Sequence, residues 1–483
     1  MKKRVSFHNL GCKVNAYETD VMIALFEDAG YETVAFEEPA DVVVVNTCTV
    51  TNIADRKSRQ MLHKAKKLNP SAAVVAAGCY VTADAERALK DEGIDICVGN
   101  TDKPRIVEIV ERFLQSRGKA DAAGESTQTD AAAGDFGQQD AAPGSRTDAA
   151  AENSGQPDAA ACAGSTFPSQ FKLTRLTERT RAYIKIQDGC NQFCSYCIIP
   201  FARGRTVSRS REDILEEIKG MTAQGVKEFV ITGIHVSSYG YDIKYPGAKP
   251  QADRFAPDIL IGLLGSIDEL EGVERIRLSS LEPRIITKEF AQGLKSIKSL
   301  CPHFHLSLQS GCDSVLKRMN RHYDTAVFEE CVRILRETFD DPAITTDVIV
   351  GFPGETEEEF EQSLEFVQKI GFYQMHIFKY SKRKGTVAAS MPHQLTEAQK
   401  AERSDRMEEA ERRMTAAYIS RHTGSVADVL YEEEQLIGGV KMICGYTREY
   451  IRVAAVSGAG SGEIKSVRLG AEAAPGILSG VEL

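Results

Sequence analysis

Three cysteines, spaced Cys190-Asn-Gln-Phe-Cys194-Ser-Tyr-Cys197, carry the strongest chemical signal in the sequence. Thiolates at this spacing can hold three irons of a four-iron cluster and leave the fourth iron without a protein ligand. An open iron can chelate the amino and carboxylate groups of S-adenosylmethionine and pass one electron to its sulfonium, releasing a 5′-deoxyadenosyl radical that no side chain could generate. The competing chemistry is structural zinc, which needs a fourth ligand, and neither a histidine nor a further cysteine lies close to Cys197 in sequence. Tyr196 is placed to lean its ring towards a nucleoside, or simply to pack.

A second set is dispersed. Cys12 follows the run VSFHNLG, Cys48 follows DVVVVNT and Cys79 follows AVVAAG, so each stands just past the C-terminal end of an expected parallel strand. Such ends converge on one crevice in an open α/β sheet, and three thiolates there again suit a cluster with an open iron. Three independently buried cysteines are the alternative. Cys97 ends a fourth apolar run and is the natural decoy. Cys162, Cys301, Cys312, Cys331 and Cys444 are scattered without ligand spacing, and all six read as non-ligands.

Positioning these residues takes more than one domain. A chain of 483 residues, 42% hydrophobic and 27% charged, implies a multi-domain globular protein. Residues 1–115 alternate short apolar runs with amphipathic helical stretches, which predicts an α/β domain with a doubly wound parallel sheet. Residues 116–170 collapse into Ala, Gly, Asp, Ser, Thr and Gln with a loose DAA repeat, which predicts a disordered linker. Much of the net charge of −10 falls there. Over 176–406, six expected strands (AYIKIQ, EFVITG, ERIRLSS, FHLSLQ, ITTDVIVG and MHIFKY) alternate with amphipathic runs and predict a partial (β/α)6 barrel rather than two separate sheets. A long charged helix is expected over about 395–421. Its end, within 407–423, leads to glycine-broken β-rich runs over 424–483 that predict a small all-β barrel.

The acidic average argues against sequence-blind wrapping of nucleic acid. No apolar run reaches the length of a membrane span and no signal-peptide pattern opens the chain, so the expectation is a cytoplasmic protein with no membrane partner. In that reducing compartment twelve cysteines point to metal ligands rather than disulfides.

The CxxxCxxC motif with Tyr196 resembles the radical S-adenosylmethionine superfamily. GCKVNAYE, VVNTCTVTNIADRKSRQ, AAGCY, IQDGCNQFCSYCIIPFARG, HLSLQSGCDSVLKRMNR and TTDVIVGFPGETEEEFE together resemble the methylthiotransferases, over nearly the whole chain apart from the linker. Within that family the wording is most similar to the branch acting on threonylcarbamoyladenosine in tRNA. The resemblance implies an auxiliary [4Fe-4S] cluster on Cys12, Cys48 and Cys79, a second [4Fe-4S] cluster on the catalytic Cys190, Cys194 and Cys197, and S-adenosylmethionine as cofactor. It further implies a TRAM-like C-terminal RNA-binding barrel, the anticodon loop of a tRNA as substrate, an electron donor that the sequence does not identify, and methylthiolation of carbon 2 of the adenine at position 37. The sister substrates are isopentenyladenosine in tRNA and an aspartate of a ribosomal protein; an iron–sulfur RNA-binding sensor is the non-enzymatic alternative. Lys379 and Val387 stand where the family leads one to expect prolines.

Strand ends of the expected barrel place Gly233, Ser279, Glu282, Gln309 and Asp347 as candidate cofactor contacts beside Tyr196, each of which could equally be a loop cap or a core polar group. For RNA, Arg56, Lys57 and Arg59 after Cys48, and Arg203, Arg205 and Arg209 after Cys197, offer phosphate contacts or solvated faces. His235, His303, His305 and His376 read as packed or solvent-facing histidines.

Overall fold

The computed structural model describes residues 2–123, 132–133, 167–168, 170–175, 179–248, 251 and 254–483, so Cys162 and most of the expected linker lie outside the described residues. The chain divides into one unit of Met1–Phe171 with Phe201–Val207 and another of Lys172–Pro200 with Ser208–Leu483.

The first unit is built on a parallel sheet ordered β2-β1-β3-β4-β5-β6. Its strands are β1 (Arg4–Asn9), β2 (Glu32–Val34), β3 (Val42–Thr47), β4 (Ala73–Gly78), β5 (Ile96–Val98) and β6 (Ala132–Ala133). The runs VVVVNT and AVVAAG are buried at every position, as β-branched and small residues must be where helices cover both sheet faces. The helix Ile106–Ala123 runs past the boundary expected at 115, because its alanine-rich end favours continued helix, and β6 lies within the stretch expected to be linker.

The second unit holds all six expected barrel strands: β7 (Arg181–Asp188), β9 (Glu228–Gly233), β10 (Arg275–Leu278), β11 (His303–Gln309), β12 (Ala343–Val350) and β13 (Gln374–Lys379); a two-residue β8 (Val207–Ser208) falls at the boundary where the chain re-enters it. Hydrogen bonding groups them as β10-β9-β7-β8 and β11-β12-β13. Isolated parallel bridges at Ile276–Leu300 and Leu281–Leu306 join the two groups, so the arc is continuous with one irregular seam. The charged helix spans Glu397–Arg421 and starts with a capping box between Thr396 and Gln399. It leads to a closed barrel ordered β14-β15-β16-β18-β17. These strands are β14 (Val426–Ile437), β15 (Val440–Tyr446), β16 (Arg452–Ala455), β17 (Ile464–Ala474) and β18 (Ile477–Glu482). Val429, Tyr431, Val453, Val467 and Leu478 fill its core together with Tyr373 and Tyr418 of the preceding elements.

Charge, not apolar packing, fills the base of the strand arc. Glu228 on β9 is buried and faces Arg277 Nε at 2.9 Å, Arg275 at 3.6 Å and Arg181 at 3.8 Å. The surplus guanidinium donors end on backbone carbonyls of the C-terminal barrel: Arg275 on Tyr446 and Asp428, Arg277 on Thr447 and Arg448. Burial works against the Glu228 carboxylate, but the arginines, Arg277 foremost, prevail and hold its pKa below the ordinary value. Glu228→Ala leaves the buried guanidiniums of Arg275 and Arg277 without their acid, while Arg181 keeps Glu432, and breaking a buried pair in this way costs about 3–5 kcal/mol. The expected result is a clear drop in melting temperature. Since the folded carboxyl titrates below the unfolded one, its contribution is complete above the unfolded pKa of about 4.3 and is lost as pH falls through the folded value. Melting curves of both proteins should therefore converge on acidification below that point.

Candidate active site: two three-cysteine centres

In the first unit Cys12 is the N-cap of the helix Lys13–Asp28, Cys48 follows β3, and Cys79 opens a short helix directly after β4. Asn15 clamps the loops beneath them: its Nδ2 donates to Leu10 O at 2.7 Å and to Thr47 O at 2.9 Å. Ser58 accepts from Cys48 N at 3.2 Å and donates to Cys48 O at 3.1 Å. Gly11, at φ +108°, is obligatory here, because a Cβ would stand 2.9 Å from Cys48 Sγ. Burial pushes the Cys48 thiol up to about 11, and charge on Cys12 or Cys79 would raise it further. A bare trio of thiolates is thus unfavourable, and a cationic centre that displaces the protons fits this donor set.

A buried charge network completes this centre. Arg203 Nε donates to Cys79 Sγ at 3.3 Å, while its two terminal nitrogens reach Glu18 at 2.9 and 3.1 Å and Asn15 Oδ1 at 2.9 Å. Lys103, fully buried, pairs with the same Glu18, and burial lowers its pKa despite that partner. Asn100 Nδ2 lies 3.6 Å from Cys79 Sγ and donates to Ala202 O at 2.9 Å.

The radical motif sits on the loop after β7. Gly189 (φ +70°) and Phe193 (φ +49°) take left-handed conformations that fold the loop tightly. The loop is tied down by Ser195 N to Met319 O at 3.0 Å, Ser195 Oγ to Arg318 O at 2.8 Å and Asn320 Nδ2 to Phe193 O at 3.0 Å. Arg321, partly buried, donates to Cys194 Sγ at 3.1 Å, to Tyr323 OH at 2.9 Å and to Ser307 O at 3.3 Å. Burial pushes the Cys190 thiol up to about 12, and a charge on Cys194 raises it further. Cys197 is shifted upwards for the same reasons. The donor chemistry again suits a cluster.

Tyr196 packs beside Cys312, Met319, Phe352 and Tyr380. Ser279 is buried with no hydrogen-bond partner for its hydroxyl among the described residues. Gly233 is hemmed in by Gln187, whose Oε1 would stand 2.9 Å from an added Cβ. Gln309 is buried at φ +72°. Glu282 is committed locally, capping a short turn and pairing with Arg284 at 2.7 Å. Asp347 lies 3.2 Å from His305 Nε2.

Two RNA expectations need correction. Arg203 is withdrawn from solvent onto Glu18 and Cys79, and Arg209 is buried against Glu217 and Lys185 O, so neither is presented to a phosphate. Arg56 and Lys57 are exposed, and Arg59 and Arg205 are partly so. Cys97 is a core thiol, pushed up to about 12 by burial. Sequence reasoning assigned no role to Arg321 or Tyr323; the one available signal was their place at the end of LKRMNRHY. His235 was read as packed or solvent-facing, and the structure shows a partly buried residue whose Nε2 is buried with no partner among the described residues. Val387 begins a short helix whose Ala388 N donates to Ser195 O at 2.8 Å, so the loop that lacks the expected prolines still docks on the radical motif.

This fold, an α/β unit with three converging thiols and a barrel with three more, is that of a radical enzyme with two metal centres. Residues 184–367 match the radical SAM superfamily and residues 4–99 match the uncharacterized protein family UPF0004. The chain belongs to the tRNA methylthiotransferase family of radical SAM enzymes. It is 37% identical to the threonylcarbamoyladenosine tRNA methylthiotransferase MtaB of Bacillus subtilis, covering 93% of this chain and 89% of that protein. The Thermotoga maritima protein of the same name is 33% identical over 99% of this chain and 96% of its own. The tRNA-2-methylthio-N(6)-dimethylallyladenosine synthase of Carboxydothermus hydrogenoformans is 30% identical over 91% of this chain and 90% of its own. The fold is also that of the radical S-adenosylmethionine methyltransferase TsrM of Kitasatospora setae, with a TM-score of 0.52 at 18% identity over 80% of this chain and 77% of that one. Family membership assigns [4Fe-4S] clusters and S-adenosylmethionine to this protein.

Two outcomes are expected. Gly11→Ala, strained at its φ and colliding with Cys48, should yield folded protein with about half the iron of the parent, since one four-iron cluster is lost and the other kept. Iron analysis with electron paramagnetic resonance of the reduced protein checks this. Arg321→Met removes a hydrogen bond and a positive charge from Cys194 Sγ and should lower the reduction potential of the radical cluster, read by potentiometric titration.

Proposed function

We propose that this protein methylthiolates carbon 2 of the adenine in threonylcarbamoyladenosine at position 37 of tRNA, yielding 2-methylthio-threonylcarbamoyladenosine. The observation that carries the reading is full-length similarity, at 33–37% identity, to four proteins named for that activity, against 30–32% for those named for the dimethylallyl substrate. Both three-cysteine centres are present, as an enzyme that must generate a radical and deliver sulfur requires.

When bound, S-adenosylmethionine and the clusters supply a primary carbon radical able to take hydrogen from an sp² carbon, together with the sulfur and methyl group to be transferred. Cys190, Cys194 and Cys197 hold the radical centre, and Arg321 balances its negative charge in a site where water cannot. Cys12, Cys48 and Cys79 hold the sulfur-bearing centre, balanced by Arg203. His235 is kept neutral, its pKa lowered to about 3 by burial and by Arg321 and Arg284, so its imidazole offers hydrogen bonding and not a proton. His235 Nε2 and Ser279 Oγ, both without partners among the described residues, are suited to receive polar groups of the nucleoside or of S-adenosylmethionine, alongside Tyr196 and Gln309. Arg56 and Lys57 are suited to phosphate contacts. The setting is the cytoplasm, with an electron donor to be identified; no helix among the described residues is long and apolar enough to cross a membrane.

Mass spectrometry of tRNA nucleosides tests this in a strain lacking the gene, complemented with the intact gene or with a Cys48→Ala copy. The 2-methylthio-threonylcarbamoyl nucleoside should vanish, return with the intact gene and stay absent with Cys48→Ala. Loss of the isopentenyl analogue instead would transfer the assignment to the sister reaction. An unchanged tRNA profile would point to a protein substrate or to the sensor.

A further inference from the structure

One cluster of ligand-type side chains plays no part in holding iron–sulfur clusters. His305 on β11, Asp347 on β12 and His376 on β13 occupy three adjacent parallel strands, with His305 level with Thr345 and Asp347 level with His376. Alternation puts all three on one face. The opposite face is the one the helices cover: Phe304 packs on Phe339 at the end of the helix Thr325–Thr338. The three side chains therefore line the inner wall of the barrel.

Their donor atoms all lie within 4.8 Å of one another. His305 Nε2 stands 3.2 Å from Asp347 Oδ2, an ion-pair distance, yet the two are not aligned as a hydrogen bond. The other ring nitrogen of His305 is fixed by Thr345 Oγ1 at 3.0 Å, which holds the imidazole in orientation and, with Nδ1 as the donor, leaves a lone pair on Nε2. The rings of His305 and His376 are stacked with centroids 5.7 Å apart. Burial grades outward, from His305 at 9% side-chain exposure through Asp347 at 26% to an exposed His376, so the set is closed behind and open in front.

We infer that His305, Asp347 and His376 form a divalent-cation site in the barrel, separate from both three-cysteine centres. Two imidazoles and one carboxylate suit a borderline first-row ion such as Fe²⁺, Mn²⁺ or Zn²⁺, and disfavour Mg²⁺, which prefers an all-oxygen shell. Around one ion with bonds of about 2.1 Å the donors would sit about 3–3.5 Å apart, so small side-chain rotations close the set. Three protein ligands leave coordination positions open towards the barrel interior, where oxygen donors of a bound substrate could complete the shell. The site does not depend on which nucleoside is the substrate.

The test uses the holoenzyme with both clusters in the oxidised, diamagnetic state and Mn²⁺ alone as probe. The parent protein should bind one Mn²⁺ per chain, seen as loss of the free-ion paramagnetic signal, and pulsed measurements of the bound ion should show coupling to imidazole nitrogen. His376→Ala and Asp347→Asn should abolish that binding with iron content unchanged, and Thr345→Val should weaken it about tenfold. The inference is overturned if the parent binds no stoichiometric Mn²⁺, if bound Mn²⁺ shows no nitrogen coupling, or if both ligand variants bind as the parent does. Should a variant lose its clusters, the nitrogen coupling in the parent decides alone.

Discussion

A thiolate taken out of water needs a positive partner, and this requirement shapes both metal centres. Burial raises the pKa of Cys48 in one set and of Cys190 and Cys197 in the other, so these side chains become thiolates only when a cation displaces the protons. A four-iron centre on three thiolates still carries excess negative charge. In each set one guanidinium answers it: Arg203 on Cys79 and Arg321 on Cys194. Each arginine is in turn fixed by other partners, Glu18 and Asn15 for the first and Tyr323 and Ser307 for the second. The counter-charge is thus held in place rather than free to screen at will, which is what a stable redox poise requires.

The same logic, without a metal, governs the base of the barrel. Three arginines meet one buried glutamate there, and an excess of two positive charges would be costly in an apolar interior. Arg181 finds a second acid in Glu432 on β14, while Arg275 and Arg277 finish on carbonyls of the C-terminal barrel. The stacked rings of Tyr446 and Tyr450 lie over the arginines and add a cation–π contribution. The C-terminal barrel is therefore a structural plug for the radical barrel as well as a separate β-structure, and the two share one compact unit.

Much of this was legible in the sequence because the informative patterns were local. The six barrel strands follow from their apolar runs, and the helix Glu397–Arg421 from its long run of balanced charge. The strands β15 and β18 were missed because VKMICGY and ILSGVE are short and broken by glycine, although each closes a hairpin with the strand directly before it. The cysteine ligand sets could be grouped from spacing and strand position. The arginines could not: Arg203 and Arg209 stand in a basic run with Arg205 and Arg211, and nothing in such a run states whether its charge meets a phosphate or an internal acid. Glu18 and Glu217, the partners that decide the matter, are 185 and 8 residues away.

That distinction narrows where RNA phosphate can be met near the auxiliary centre. Arg56 and Lys57 lie on the helix Asn52–Leu68, whose N-cap Thr51 follows Cys48 by three residues. The next residue, Ser58, is buried and bonded to both the amide and the carbonyl of Cys48. Helical geometry then makes the two cations face away from the Cys48 loop, to which the helix is tied through Ser58. A phosphate engaged by Arg56 or Lys57 would be held close to the Cys48 loop, with no salt bridge to another described residue to be broken first. Arg203, only six residues after Cys197 and ostensibly better placed, would have to abandon Cys79 and leave Glu18 to Lys103 alone. Reaching for RNA with that side chain would therefore dismantle the buried network that holds Cys79.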